Sequence, residues 1–114
     1  MIFINMKILI IESQRDRLAK KELDKAFSNM YEDVNYITDG VGEQKKIEFR
    51  NGDGVIMIYS DRNEVLYFCE DITKPIEFFS YTPQEVKRVV REWFSQTFEL
   101  PVKIVQHVNK SVLR

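Results

Sequence analysis

Two short runs in the middle of the chain, residues 55–59 and 65–69, are apolar at every position. A strand that is apolar on both sides is typical of the interior of a sheet, because each face then needs a covering layer. Residues 46–50 before them alternate apolar and charged side chains, and Asn51-Gly52 is a strong hairpin signal. The pattern predicts a meander of three antiparallel strands in which the first of the two apolar strands, residues 55–60, lies in the centre.

Two other segments have the three- and four-residue apolar spacing of an amphipathic helix. The first follows Ser13, a candidate N-cap, and its apolar stripe comprises Leu18, Ala19, Leu23, Ala26, Phe27 and Met30. The second begins at Thr82-Pro83-Gln84-Glu85, which is typical of a capping box with proline at the first helical position. Its stripe comprises Val86, Val89, Val90, Trp93, Phe94 and Phe98.

Residues 1–11 are mostly apolar, but the run is too short to span a membrane and is interrupted by Asn5 and Lys7, so a buried strand is predicted. Residues 34–38 and 102–105 are further candidate strands, and residues 76–79 are expected to be an edge strand or extended. The prediction is a single α+β domain over residues 1–114. Its mainly antiparallel sheet has about five or six strands, packed with two amphipathic helices, in the order β-α-β-β-β-β-α-β.

Two features of this prediction remain open. Because the central strands are apolar on both sides, either the helices cover both faces of the sheet, or a partner or second copy covers a helix-free face. A homodimer is therefore compatible with the pattern. Residues 106–114 contain spaced apolar residues and are expected either to dock on the domain or to form a flexible tail.

The sequence offers little catalytic chemistry. The sequence contains one histidine, His107, and one cysteine, Cys69. It contains no metal-ligand spacing, nucleophile elbow or phosphate-binding loop. We therefore expect a protein that is not an enzyme and needs no cofactor and no metal. Without an export signal or a disulfide framework, the expected location is the cytoplasm, and no membrane association is expected.

Charge gives the clearest indication of function. The net charge is −1, yet residues 1–30 carry +2, residues 31–80 carry −6 and residues 81–114 carry +3. An acidic, aromatic-containing region would attract a basic protein and repel a phosphate backbone, so nucleic acid is not the favoured partner. The partner-binding residues expected from this region and its margin are Asp53, Asp61, Glu64, Glu70, Asp71, Glu77, Tyr59, Tyr67 and Tyr81.

In physical character, although not in motif, this pattern resembles bacterial immunity or antitoxin-type proteins. The resemblance implies an inhibitor that neutralises a basic toxin, such as a nuclease. One alternative is a nucleic-acid-binding or regulatory module that uses basic helix faces, with Lys20, Lys21, Lys25, Lys87, Arg88 and Arg91. Another is a small enzyme or ligand carrier with a helix–sheet pocket near Trp93.

Overall fold

A computed structural model describes residues 2–40, 42–52 and 54–113, with side chains from residue 13 onward except at residue 39. The elements, in chain order, are helix α1 (Ile2–Ala26) and strands β1 (Tyr31–Asp39), β2 (Gly42–Asn51), β3 (Gly54–Ser60) and β4 (Val65–Phe68), then helix α2 (Glu70–Thr73), a 3₁₀ helix (Lys74–Phe79), helix α3 (Pro83–Phe98), strand β5 (Ile104–His107) and a C-terminal 3₁₀ helix (Lys110–Leu113).

The five strands form one sheet in the order β1-β2-β3-β4-β5, so the strand predicted to be central is central. The first three pairings are antiparallel, and β5 runs parallel to β4. The parallel pairing follows from the long connection through α3, because a crossover is needed to bring the chain back in the same direction. The predicted α+β class with a mainly antiparallel sheet is confirmed.

Helix α3 lies between the sheet and α1. One side of the sheet, called the helix face, consists of residues that oppose one another in the strand register, and its members are Ile47, Phe49, Met57, Tyr59, Leu66 and Phe68. The ring of Phe94 lies 5.2 Å from that of Phe49 and 5.6 Å from that of Tyr59. One position earlier, Trp93 points toward α1, 6.1 Å from the ring of Phe27.

The start of α3 forms as predicted. The backbone N–H of Glu85 donates to the Thr82 hydroxyl over 3.2 Å, and the Thr82 N–H donates to the Glu85 carboxylate over 3.0 Å. This capping box satisfies two N–H groups that would otherwise lack partners. The hydrogen bonds from Thr82 lower the pKa of Glu85.

The predicted N-terminal strand is wrong. The helix predicted to begin at Ser13 begins at Ile2 and runs through Ser13, which is therefore not an N-cap. A short apolar run does not distinguish a strand from a helix segment by periodicity, and here the run is continuous with the helix that the downstream spacing predicts. The predicted burial of residues 1–11 concerns side chains outside the described set.

The apolar stripe of α1 is narrower than predicted. Ala19, Leu23 and Phe27 are buried at four-residue spacing, whereas Leu18 is 50% exposed and Ala26 is also exposed. Helix α1 contacts α3 and the 3₁₀ helix at Lys74–Phe79, and Phe27 of this row packs against Trp93.

Residues 76–79 do not form the edge strand or extended segment that was predicted. They lie in the 3₁₀ helix, which follows α2 directly, and Ile72 of α2 and Ile76 of the 3₁₀ helix are buried. Pro75 occupies the first turn of the 3₁₀ helix, where a residue without an N–H loses no hydrogen bond.

The other side of the sheet, called the groove face, contains Lys46, Glu48, Arg50 and Ile58. The C-terminal 3₁₀ helix lies against it, with Leu113 only 4% exposed. Lys110 anchors this helix by an ion pair of 2.7 Å with Asp71, and the hydrogen bond raises the pKa of Lys110. A segment of the 106–114 tail is thus docked on the domain.

Candidate functional site

Strand β1 is exposed along its length. Every side chain from residue 31 to residue 38 is exposed. Four of these are large apolar or aromatic side chains, and their exposed fractions are 51% for Tyr31, 41% for Val34, 65% for Tyr36 and 40% for Ile37. Isolated exposed apolar residues are ordinary on protein surfaces, but several on one strand are typical of an interaction site.

The exposed side chains lie on both faces of the sheet. Val34 opposes the buried Ile47, so Val34 and Tyr36 lie on the helix face. Asn35 opposes Lys46, which places the odd-numbered residues of β1, including Tyr31 and Ile37, on the groove face. Because neither face of β1 is covered among the described residues, the strand is reachable from above, from below and along its outer edge.

Pairing with β2 holds β1 in place. All nine residues of β1 have a partner in β2, from Tyr31 opposite Arg50 to Asp39 opposite Gly42. At the first end of the strand, the Tyr31 hydroxyl donates to the carbonyl of Gly52 over 3.2 Å. At the other end, the Arg62 guanidinium donates to the carbonyl of Gly42 over 2.9 Å. The hairpin is therefore fixed at both ends although its outer strand is not buried.

The charge of β1 is acidic. The strand contains Glu32, Asp33 and Asp39 and no Lys or Arg. Asp33 lies 3.7 Å from the Arg50 guanidinium, which also pairs with Glu48 at 2.9 Å. Glu32 has no hydrogen bond or ion pair with any described residue, so its carboxylate is free to attract a cation.

The acidic residues predicted from the sequence do not form one surface. Asp61 and Glu64 lie in the turn before β4, and Glu70 and Asp71 lie in α2 after it. Because β4 has four residues, about 13 Å of strand separates the two groups. Asp53 lies outside the described residues, and Glu77 is exposed on the 3₁₀ helix that contacts α1.

Several of these acids have structural partners. The Asp61 carboxylate accepts a hydrogen bond of 2.9 Å from the Lys45 backbone N–H, which ties the hairpin to the turn before β4. Asp71 pairs with both Lys110 and Lys74, at 2.7 and 3.7 Å. Glu64 lies 3.7 Å from Lys103.

The three predicted tyrosines differ in accessibility. Tyr59 is 2% exposed, and its hydroxyl donates to the carbonyl of Pro101 over 2.7 Å. Burial, with added repulsion from Glu64 and Asp61, raises its pKa. Tyr67 is partly buried against the core, on the groove face opposite Ile58. In this conformation a partner would not reach the ring of Tyr59.

Tyr81 belongs to a polar cluster between α1 and α3. Its hydroxyl donates to Asp16 over 2.7 Å, and Arg88 donates to the same carboxylate over 2.8 Å. Burial would raise the pKa of Asp16, but the hydrogen bonds from Arg88 and Tyr81 outweigh it, and the pKa is lowered. Burial and the bond to Asp16 raise the pKa of Tyr81, while the Arg15 guanidinium lies 4.5 Å from its ring centre.

The basic helix residues of the alternative prediction are only partly available. Lys20 pairs with Glu92 at 3.5 Å, and Arg88 pairs with Asp16 and Glu92. Lys21 and Lys25 on α1 have no described partner, and neither have Lys87 and Arg91 on α3. The α3 residues line a shallow groove of about 320 Å³ with Gln84 and Val105, separate from the groove between α1 and α3 that includes Lys20 and Lys21.

The largest of the described grooves, about 600 Å³, lies on the groove face between β2 and the C-terminal 3₁₀ helix. Lys46, Arg50 and Lys110 line it together with Glu48, over an apolar floor that includes Val55 and Ile58. Trp93 lines none of the three grooves; it is buried, and its indole N–H donates to Asp24 over 2.8 Å. The pocket expected beside Trp93 is therefore not among them.

Among the described residues, no group of three or more His, Cys, Asp or Glu side chains is placed to hold a metal ion. Within that same part of the chain, no helix is both long enough and apolar enough to cross a membrane. Comparisons with protein-family models, curated proteins and solved structures found no match.

Sequence reasoning missed β1 as a candidate site. It predicted a short strand at residues 34–38 but assigned binding to loop acids and to other tyrosines. The signal was present in Tyr31-Glu32-Asp33, an aromatic residue followed by two acids, with a second aromatic residue, Tyr36, three positions further on. What the sequence did not indicate is that this strand stands at the edge of the sheet.

Proposed function

We propose that the chain is a small non-enzymatic protein-binding domain whose β1 strand binds a basic protein. The observation that carries the proposal is the coincidence on one strand of exposed aromatic and aliphatic side chains with carboxylates and no cations. Exposed aromatic residues supply contact area, and the acids steer a basic partner and fix its orientation.

The finer proposal is the one expected from the charge pattern, an immunity or antitoxin-type inhibitor of a basic toxin. Such an inhibitor acts by covering a cationic surface, which needs no catalytic group of its own. Of the acids expected to take part, the free Glu32 adds to the set predicted in the loops. Tyr31 and Tyr36 replace Tyr59 as candidate anchors because their rings are exposed.

The first experiment is affinity capture from the native lysate at low salt, with and without nuclease. The bait proteins are the wild type, a Glu32→Lys/Tyr36→Ala variant, and a Glu22→Lys control. Glu22 lies on α1, away from β1, and has no ion pair among the described residues, so the control reverses one charge without changing the proposed surface.

We expect the wild type and the control to retain one basic protein that survives nuclease, and the β1 variant to retain at least tenfold less. Association rates measured with that protein should then fall steeply with ionic strength for the wild type. Equal capture by all three baits would contradict a role for β1. Recovery of nucleic acid, or loss of every bound protein after nuclease, would favour the basic helices instead.

A further inference from the structure

The two edges of the sheet differ in length and protection. β1 forms one edge with nine residues, whereas β5 forms the other with four. Natural edge strands are commonly shortened, bulged, or protected by Lys and Pro, because an open edge pairs with other strands. β1 contains no Lys and no Pro, and its register with β2 has no shift. Its outer edge is thus regular enough to accept another strand.

The backbone of β1 provides a row of unused hydrogen-bonding groups. In an antiparallel pair, alternate residues of a strand exchange N–H and C=O bonds with the neighbour, and the residues between them direct these groups outward. No described strand pairs with the outer side of β1. An extended segment laid along it would satisfy these groups in the manner of β-strand addition.

Exposed apolar side chains on both faces of β1 would stabilise a strand added along its outer edge. Val34 and Tyr36 on the helix face, and Tyr31 and Ile37 on the groove face, would each become cross-strand neighbours of an added strand. An added strand would therefore cover apolar surface on both faces. A partner docked on one face alone would leave two of these side chains exposed.

Charge decides between the two simplest occupants. A second copy paired through β1 would bring three acids toward three acids, with no cation on either strand. A basic segment would instead place cations beside Asp33 on the groove face, and it would bring no acid toward Glu32, which lies opposite Phe49 on the helix face. Complementary charge opposite a strand stabilises the pairing, and like charge destabilises it.

Resting on the function proposed above, we propose that β1 binds an extended basic segment of its partner as a sixth strand of the sheet. The segment alternates cationic and aliphatic residues. Its aliphatic side chains contact Val34 and Tyr36 on the helix face, and its cations lie beside Asp33 on the groove face.

The test is amide hydrogen exchange measured by NMR on the whole chain. The probe is a blocked peptide of nine residues in which Lys and Val alternate, and a Glu–Val peptide of the same length is the charge control. We expect the Lys–Val peptide to slow exchange at least tenfold at one alternate set of β1 amides, the set not bonded to β2. The other β1 amides should change little.

Two variants separate the edge from the rest of the surface. Val34→Lys should weaken binding of the Lys–Val peptide at least tenfold, because it removes an apolar contact and adds a repelling charge. Val112→Lys, at a side chain 65% exposed on the C-terminal 3₁₀ helix, should leave binding unchanged. A peptide that binds without slowing β1 exchange, or does not bind at all, would overturn strand addition.

Two further results would overturn the choice of occupant. Equal protection by the Glu–Val peptide would exclude charge complementarity as the basis of selection. Protection that rises with protein concentration in the absence of peptide would identify a second copy as the occupant. These results concern strand addition alone. The proposed function is contradicted by a different result, namely that Glu32→Lys/Tyr36→Ala leaves the capture of a basic protein unchanged.

Discussion

Replacing Asp16 tests the polar cluster that joins α1 to α3. The carboxylate accepts hydrogen bonds from Tyr81 at 2.7 Å and from the two terminal nitrogens of Arg88 at 2.8 and 3.4 Å. In Asp16→Asn, the remaining carbonyl oxygen can keep the bond from Tyr81. The new amide N–H groups face the guanidinium, which is also a donor, so the charged interaction with Arg88 is lost.

The magnitude follows from the type and exposure of these bonds. A hydrogen bond to a charged group contributes about 1.5–3 kcal/mol when it is well shielded. Arg88 is 40% exposed, and an exposed ion pair contributes no more than about 1 kcal/mol. Because Asp16 itself is only 21% exposed, the expected loss in the free energy of unfolding lies between these two limits, at about 1.5 kcal/mol, which lowers the Tm of a chain of this size by about 6 °C.

The effect should depend on pH in a defined direction. The folded state lowers the pKa of Asp16 below its usual value of 3.8. Its stabilisation is therefore complete above the unfolded pKa and is lost as the pH falls through the folded pKa. The difference between wild type and Asp16→Asn should be constant from about pH 5 to pH 7 and shrink progressively below pH 4.

Urea unfolding followed by the fluorescence of Trp93 measures this difference at each pH. Glu22→Gln on the same helix is the matched control, because this carboxylate has no described hydrogen bond or ion pair, and it should change stability by less than about 0.5 kcal/mol. The reasoning is refuted if both variants lose the same stability, or if the loss in Asp16→Asn is unchanged at pH 3.

Three further changes test other parts of the fold. Thr82→Ala removes the capping box and should lower the free energy of unfolding by about 1 kcal/mol in urea titrations, with no change meaning that the cap contributes nothing. Leu113→Ala should cost about 2–3 kcal/mol and make the C-terminal segment the first site of limited proteolysis; cleavage elsewhere first would contradict its docking. Burial raises the pKa of the Cys69 thiol, so it should react with a thiol reagent only after unfolding, and rapid reaction of the native protein would contradict that.

The elements predicted correctly are those with strong local signals. The capping box at Thr82 fixes the start of α3, and Asn51-Gly52 fixes the turn between β2 and β3, with Gly52 at a φ of 67°. These signals are made by neighbouring residues, so no knowledge of the tertiary structure is needed to interpret them. The buried stripe of α3 follows in the same way, since helical periodicity alone places Val89, Val90 and Trp93 on one side.

The errors arise where local pattern is consistent with two structures. An apolar run such as residues 1–11 fits a buried strand or a helix segment, and only the helix that continues from it decides between them. Residues 76–79 contain two aromatic residues that favour a strand, yet Pro75 and the buried Ile72 and Ile76 set up successive turns. In both cases the deciding contacts lie outside the segment itself.

The sequence did not indicate where the candidate site lies in the fold. Summed charge correctly marked residues 31–80 as acidic, but it did not show that β4 separates Asp61 and Glu64 from Glu70 and Asp71. It also did not show that Tyr59 is a core residue. The apolar pattern of a strand, alternating or continuous, indicates whether one or both of its faces are buried. It does not indicate the order of the strands, because that order depends on the pairing of all the strands in the sheet.

The length of β1 has a consequence for its role. Burial does not account for the nine paired residues of β1, because all the described side chains of the strand are exposed. The pairing of β2 with β3 ends at Lys46, whereas the pairing of β2 with β1 continues to Gly42. Beyond Asn35, β2 has no paired strand on its other side among the described residues and is tied there by the hydrogen bonds of Lys45 with Asp61 and of Gly42 with Arg62. The extension from Tyr36 to Asp39 lengthens an open edge and places Tyr36 and Ile37 in solvent. Such an extension carries a cost in exposed apolar surface that a covering chain would remove, and this is the physical reason for placing the proposed binding function at β1.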